Sequence, residues 1–314
     1  MSRFPLLQEA LNVLGATSPQ RVVGVCPGAR VLGVELLLGQ KEKAVVVVPT
    51  PSDALELAAS YGLFFPQHPA AALPAHMLLP YAPQGTPLAA TAEAVTALLR
   101  WAEGGLSRLV VPARLLPLPF PRPESLLARV RRFVPGEPLD LQELAGFLRE
   151  EGWHRVEVVE EAGEFALRGE VLDLGTTDGF FRLVVDVDRL ETIRVFNPES
   201  QRSVEERGEL QLSPMSLFPT NPRVRMRAAE HWEKQGFPLL AEMLREGVAN
   251  PVVAPFAAAG EACGHPWELS EALVVVEPAD VEAELARAWT ALTKAHETAC
   301  RQLPLPPPEA WLHP

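Results

Sequence analysis

The stretch Gly179-Phe180-Phe181-Arg182-Leu183-Val184-Val185-Asp186-Val187-Asp188 decides the fold, because its apolar and polar residues alternate. A period of two puts successive side chains on opposite faces of a strand. Phe181, Leu183, Val185 and Val187 therefore turn one way, and Arg182, Val184, Asp186 and Asp188 the other. The neighbouring segment repeats the pattern, with Phe165 and Leu167 inward and Ala166 and Arg168 outward. Working outward, 154–161, 163–174, 179–190 and 191–198 read as successive strands, introduced by a helix over 139–151.

The sequence on either side follows a different rule. Ala44–Val48 is an unbroken run of apolar residues, as are Leu109–Val111 and Ala272–Val276, which is how parallel strands covered on both faces read. With Arg21–Cys26 as a strand and 29–39 as a helix, the first part reads as a βαβ unit. A helix begins at Pro51-Ser52-Asp53, capped by Ser52 or Asp53, and another runs over 86–101. After Pro214, helices are expected over 223–235 and 238–247 and strands near 251–255 and 272–276. Asp280 would then cap a helix with Val281, Leu285, Ala288, Leu292, Ala295 and Ala299 on one face.

Strand material on both sides of the alternating section implies an α/β parallel-sheet domain with an inserted, mainly antiparallel β domain. The expected division is 1–125 with 214–303 for the discontinuous α/β domain, 139–213 for the insertion, and 304–314 for a Pro-rich tail or linker. Seven of the 32 prolines fall between Pro112 and Pro138, where the first boundary is expected.

The 314 residues carry a net charge of −12 and 7% aromatics, which disfavours a phosphate-backbone partner and leaves few rings for stacking on bases. Cys26, Cys263 and Cys300 are far apart and offer neither a disulfide framework nor a metal motif. His296 and Cys300 share a helix face, but two ligands do not make a zinc site. With no run of about 18 apolar residues, the expectation is a cytoplasmic protein.

The loop Cys26-Pro27-Gly28-Ala29-Arg30 stands where a phosphate-binding loop would. Gly28 and Gly33 nearly keep the glycine spacing, but Val34 and Glu35 replace the Lys and hydroxyl that phosphates and Mg²⁺ need. The residues thus predict a tight turn, no catalytic residue and no cofactor. Arg129, Arg131 and Arg132 read either as a small basic face or as a solvated helix surface.

Two runs carry a family resemblance. Gly152-Trp153-His154-Arg155-Val156 is followed by Gly163-Glu164-Phe165-Ala166-Leu167-Arg168-Gly169-Glu170-Val171-Leu172-Asp173-Leu174. Phe181-Arg182-Leu183, Ile193 to Ser203, Leu212-Ser213-Pro214 and Phe218-Pro219-Thr220 continue the series. This order resembles the UvrB-homology module of bacterial transcription-repair coupling factors. The resemblance implies a degenerate helicase-like α/β domain with a UvrA-binding β insertion and no working phosphate loop. It further implies that in the intact factor a C-terminal domain masks the insertion, while RNA polymerase and DNA are engaged elsewhere.

Arg168 and Arg182 match the family's partner-contacting arginines, and Arg194 and Arg202 match family positions as secondary candidates. Where the family often has Phe in the partner-facing patch this chain has Asp186, so Val184 is expected to supply the apolar contact. Gly175 departs from a family Phe, which implies an altered loop. The alternatives are a UvrB-like DNA-damage binder and a nucleotide-binding α/β enzyme with an atypical loop.

Overall fold

The computed structural model describes residues 25–248 and 250–312. Most of the expected strand over 21–26 lies outside them. The chain runs through α1 (Arg30–Leu38), β1 (Ala44–Val48), α2 (Pro51–Phe64), β2 (Ala70–Ala72), α3 (Leu88–Ala102) and β3 (Arg108–Pro112). Short elements follow: β4 (Phe120–Pro121), α4 (Pro123–Leu127) and β5 (Arg131–Phe133).

Next come α5 (Leu141–Glu150), β6 (His154–Arg155), β7 (Glu164–Arg168), β8 (Val171–Thr176), β9 (Gly179–Asp186), β10 (Arg189–Phe196), β11 (Ser203–Arg207) and β12 (Leu210–Leu212). The chain then returns through α6 (Pro222–Lys234), α7 (Pro238–Glu246), β13 (Cys263–Gly264), β14 (Ala272–Val275) and α8 (Pro278–Ala299).

One sheet has the order β14-β1-β3-β2 and is parallel throughout. Its central strand explains the valine run. Val46, with Val110 and Val274, packs under α1 and α2, while Val45 and Val47 face the core formed with α3 and α8. Burial on both faces removes any reason for alternation. Because β14 pairs with β1 across the whole intervening segment, the second sheet, β11-β10-β9-β8-β7-β6, is an insertion in this α/β body. That sheet is antiparallel except for the short β6–β7 pair. Its inner face, with Phe165, Leu172, Leu174, Leu183, Val185 and Ile193, packs on Leu141, Leu144, Ala145 and Leu148 of α5.

Several local expectations are corrected. The spans 163–174 and 179–190 are not single strands, because tight turns divide them: Gly169 has φ 60°, and Val187 and Asp188 have φ 41° and 64°. Val187 is therefore exposed at a turn and not inward. The strand expected over 154–161 ends at Arg155. Thr50 caps α2, its side chain accepting from the Asp53 N–H while the Asp53 carboxylate accepts from the Thr50 N–H. Asp280 lies within the first turn of α8, whose N-cap is Glu277.

The strand expected near 251–255 is a turn leading into a 3-10 helix, Ala254–Gly260. Pro251 and Pro255 have no N–H to give a ladder, and Phe256 packs instead on Trp232. The Pro-rich stretch after 303 is docked on the body, with Leu305 buried and the Pro306 carbonyl accepting from Tyr81 Oη at 2.8 Å.

Candidate functional site

Cross-strand register assembles the outward face of the inserted sheet. One row runs Ala166, Asp173, Arg182, Arg194 and Glu206; the next runs Arg168, Val171, Val184 and Thr192. Arg168 and Arg182 share the face, but they are not on neighbouring strands. β8 lies between them, and its Asp173 joins the two.

Asp173 is 2% exposed. Its carboxylate accepts from Arg182 Nε at 2.6 Å and Nη2 at 2.9 Å, and from Arg168 Nη2 at 3.4 Å. A bidentate guanidinium–carboxylate pair of this kind is among the stronger charge-assisted arrangements. The hydrogen bonds to Asp173 hold the Arg182 pKa above its usual value despite partial burial. Arg182 also donates from Nη1 to the Gln201 carbonyl at 3.3 Å, and its guanidinium sits 4.9 Å from the Phe196 ring centre.

The outward face is not uniformly open. Val159, Ala166 and Phe196 are buried together on it, with Val156 and Phe180 beside them. Ala166, expected outward, is on that face but covered, because the segment 156–161 crosses the sheet there instead of continuing as a strand. Gly175 makes the crossing possible: a Cβ at this position would lie 2.1 Å from the Glu161 carbonyl oxygen, and the Gly163 N–H donates to the Gly175 carbonyl at 2.7 Å.

Beyond this cover the face opens. Arg168 and Asp186 are exposed and Val171 and Val184 half-buried. Arg194 pairs with Glu206 at 3.2 Å, and Arg202 is exposed in the loop before β11. Sequence reasoning passed over Asp173, although a carboxylate between Leu172 and Leu174 is a signal that an ion pair lies on the far face.

The other candidates serve the framework. Arg129 is neither in a basic face nor on a solvated helix. It is buried, donating to Glu151 at 2.6 Å and to the carbonyls of Leu217 and Ser216 at 2.8 and 2.6 Å. Arg131 and Arg132 are on β5. At the would-be phosphate loop, Val34 is core, and Glu35 accepts from Arg108 at 2.9 and 3.2 Å and from Tyr61 at 2.7 Å.

Arg30, in the first turn of α1, donates to Asp53 at 2.7 Å and to Glu277 at 2.8 Å. His296 Nε2 lies 3.1 Å from Cys300 Sγ and 3.0 Å from the Leu305 carbonyl. Among the described residues no cluster of three or more potential ligands is placed to hold a metal. No helix there is long and apolar enough to cross a membrane.

Residues 132–218, which include the whole of this face, match the UvrB interaction domain family. The chain is similar to curated transcription-repair-coupling factors. That of Myxococcus xanthus is 32% identical over 193 residues, covering 56% of this chain and 16% of the relative. That of Haemophilus influenzae is 27% identical over 202 residues, covering 63% and 18%. That of Escherichia coli is 36% identical over 88 residues, covering 27% and 8%. The chain thus spans less than a fifth of the length of these relatives. Within that span it has a parallel α/β body with a mainly antiparallel β insertion.

Proposed function

We propose that this chain is the UvrA-recruiting module of a transcription-repair coupling factor, acting in the cytoplasm in transcription-coupled nucleotide excision repair. The observation that carries the reading is that the UvrB interaction domain over 132–218 presents an open sheet face bearing Arg168, Val184 and Asp186, with Arg182 beside them. In this reading 1–125 and 214–303 form the scaffold, and 139–213 is the insertion that meets the partner. Exposed arginine beside half-buried aliphatic surface suits a protein partner.

The work of this stretch is recruitment, not ATP hydrolysis. Supporting that, Val34 stands at the phosphate-loop Lys position, Glu35, at the hydroxyl position, is engaged by Arg108, and Arg30 is engaged by two carboxylates. RNA polymerase, DNA and a masking domain belong to other parts of a whole factor. Mixing the purified chain with UvrA from the same source on a sizing column tests the reading: co-elution is expected, and independent migration of the two proteins at micromolar concentration overturns it. Calorimetry with ATP and Mg²⁺ should show no saturable heat.

A further inference from the structure

Where the insertion joins the α/β body, the chain leaves a cleft of about 650 Å³. The end of α5, the return from the insertion at 215–220, the end of α7 and the loop before α3 line it. A volume of this order suits a small molecule, and junctions between domains are where such sites tend to occur. The floor is apolar, with Met77, Met215, Leu217, Phe218 and Val253 all buried. Three of the chain's five methionines, Met77, Met215 and Met243, are gathered in this lining. An unbranched thioether side chain repacks at little cost, so such a wall adapts to the shape of an apolar guest.

The polar part of the lining is cationic. Arg225 donates from Nε to the Thr220 carbonyl at 3.0 Å and from Nη1 to the Leu244 and Arg245 carbonyls at 3.3 and 3.2 Å, which fixes its guanidinium in the wall. Thr220 in turn donates from its N–H and its hydroxyl to the Glu150 carbonyl at 2.9 and 3.1 Å, next along the chain from Arg149. These bonds hold the two arginine-bearing segments side by side. Arg149 donates from Nε to the Ala145 carbonyl at 3.2 Å, and its terminal nitrogens have no acceptor among the described residues. Against these two guanidinium groups the lining has one carboxylate, that of Glu150. On a chain of net charge −12 the cleft is therefore locally positive. The first turn of α3, which no side chain caps, borders it and adds to that potential.

We infer that this cleft is a binding site for a singly charged organic acid with an apolar body. Arg149 and Arg225 hold the acid group, and the body lies on the methionine floor. The charge balance sets the class: one surplus cation matches one carboxylate or sulfonate, whereas most of a triphosphate's charge would go uncompensated over an apolar floor. A molecule in the cleft touches the α/β body and both crossings into the insertion at once, so its binding stabilises their junction.

The probe for the test is 8-anilinonaphthalene-1-sulfonate, titrated into the full chain labelled with [methyl-¹³C]methionine. One equivalent should bind, with a Kd on the order of 10–100 μM. At saturation the methyl signals of Met77, Met215 and Met243 should move, while that of Met226, on α6 and outside the cleft, should stay in place. Absence of saturable binding, or binding that leaves the three cleft methyls unmoved, overturns the site. Movement of the same three signals with ATP overturns the limit to a single charge.

A variant separates the acid group from the apolar body. Arg149 is exposed, so Arg149→Ala leaves the fold intact. It should weaken the sulfonate probe about tenfold and leave the uncharged analogue N-phenyl-1-naphthylamine within about twofold of its wild-type affinity. Equal loss for the two probes, or loss for neither, overturns the role of Arg149 in holding an acid group.

Discussion

Arg182 closes both Nε and Nη2 on the carboxylate of Asp173, at 2.6 and 2.9 Å, across adjacent strands of the inserted sheet. Asp173 is 2% exposed, so the pair neutralises a carboxylate that the fold has taken out of water. Removing one partner of such a pair leaves a buried charge without compensation, whereas removing both can be nearly neutral.

Charge reversal at Arg182 should therefore unfold the insertion before it tests any interface. Arg182→Glu is expected to lose about 3 kcal/mol or more in urea unfolding, since it sets a second carboxylate against Asp173. Arg168→Glu, on an exposed side chain, should stay within about 0.5 kcal/mol of wild type. The alternating pattern alone predicts that both variants leave the melting temperature alone. A melting curve for Arg182→Glu that overlays wild type would show that the pair contributes nothing.

A second buried pair ties the insertion to its frame. Arg129, before β5, reaches Glu151 at the end of α5 and the carbonyls of Ser216 and Leu217, where the chain leaves the insertion. Burial raises the Glu151 pKa and lowers that of Arg129, each against the pull of its partner. Arg129→Ala should cost about 3–5 kcal/mol. Arg132→Ala, at a side chain 66% exposed, should cost less than about 1 kcal/mol. Denaturant unfolding of the two variants distinguishes them, and equal midpoints would refute the buried role of Arg129. For the same reason Arg132, and not Arg129, is the proper charge control in a UvrA-binding experiment.

The parallel sheet and the inserted one are both legible in the sequence, because burial on two faces writes a run like Val45–Val48 and burial on one writes an alternation like Phe181–Val185. Hairpin turns are less so: Val187 continues the alternation yet sits at φ 41°, since turn geometry is set by pairing with the next strand. The division of the outward face into covered and open halves is not legible at all. It depends on residues 156–161 leaving their strand to lie over Ala166, a tertiary choice that only Gly175 hints at.

Gly175 turns that hint into a measurable cost. A Cβ there would meet the Glu161 carbonyl oxygen at 2.1 Å and its carbonyl carbon at 3.0 Å, and both are backbone atoms with no rotamer to relieve the clash. Gly175→Ala should destabilise by about 3 kcal/mol or more, at the upper end of overpacking costs. Gly208→Ala, with nothing within 4 Å of the added methyl, should change stability by less than about 1 kcal/mol. If Gly175→Ala melts like wild type, the crossing segment does not lie over β8 as described.

The last prediction concerns acid. Burial acts to raise the Glu35 carboxyl, but the hydrogen bonds from Arg108 and Tyr61 outweigh it, and its pKa in the folded chain lies below the usual 4.5. Asp53 is lowered in the same sense, burial being outweighed by Thr50 and Arg30. With folded pKa values depressed, the unfolded chain takes up these protons first as the pH falls. The contribution of both groups is then complete above the ordinary carboxylate range and is lost as pH drops through their folded values.

Urea midpoints of the wild-type chain should therefore fall between about pH 5 and about pH 3. Glu35→Gln should be less stable at neutral pH by about 3 kcal/mol, since it strips the fully buried Arg108 of its counter-charge. It should also show a shallower fall over the acid window, because one of the linked protons is gone. A Glu35→Gln profile parallel to wild type through that window would mean that Glu35 does not titrate with folding, and that Arg108 is held by its backbone carbonyl partners at Lys41, Glu42 and Ser107 alone.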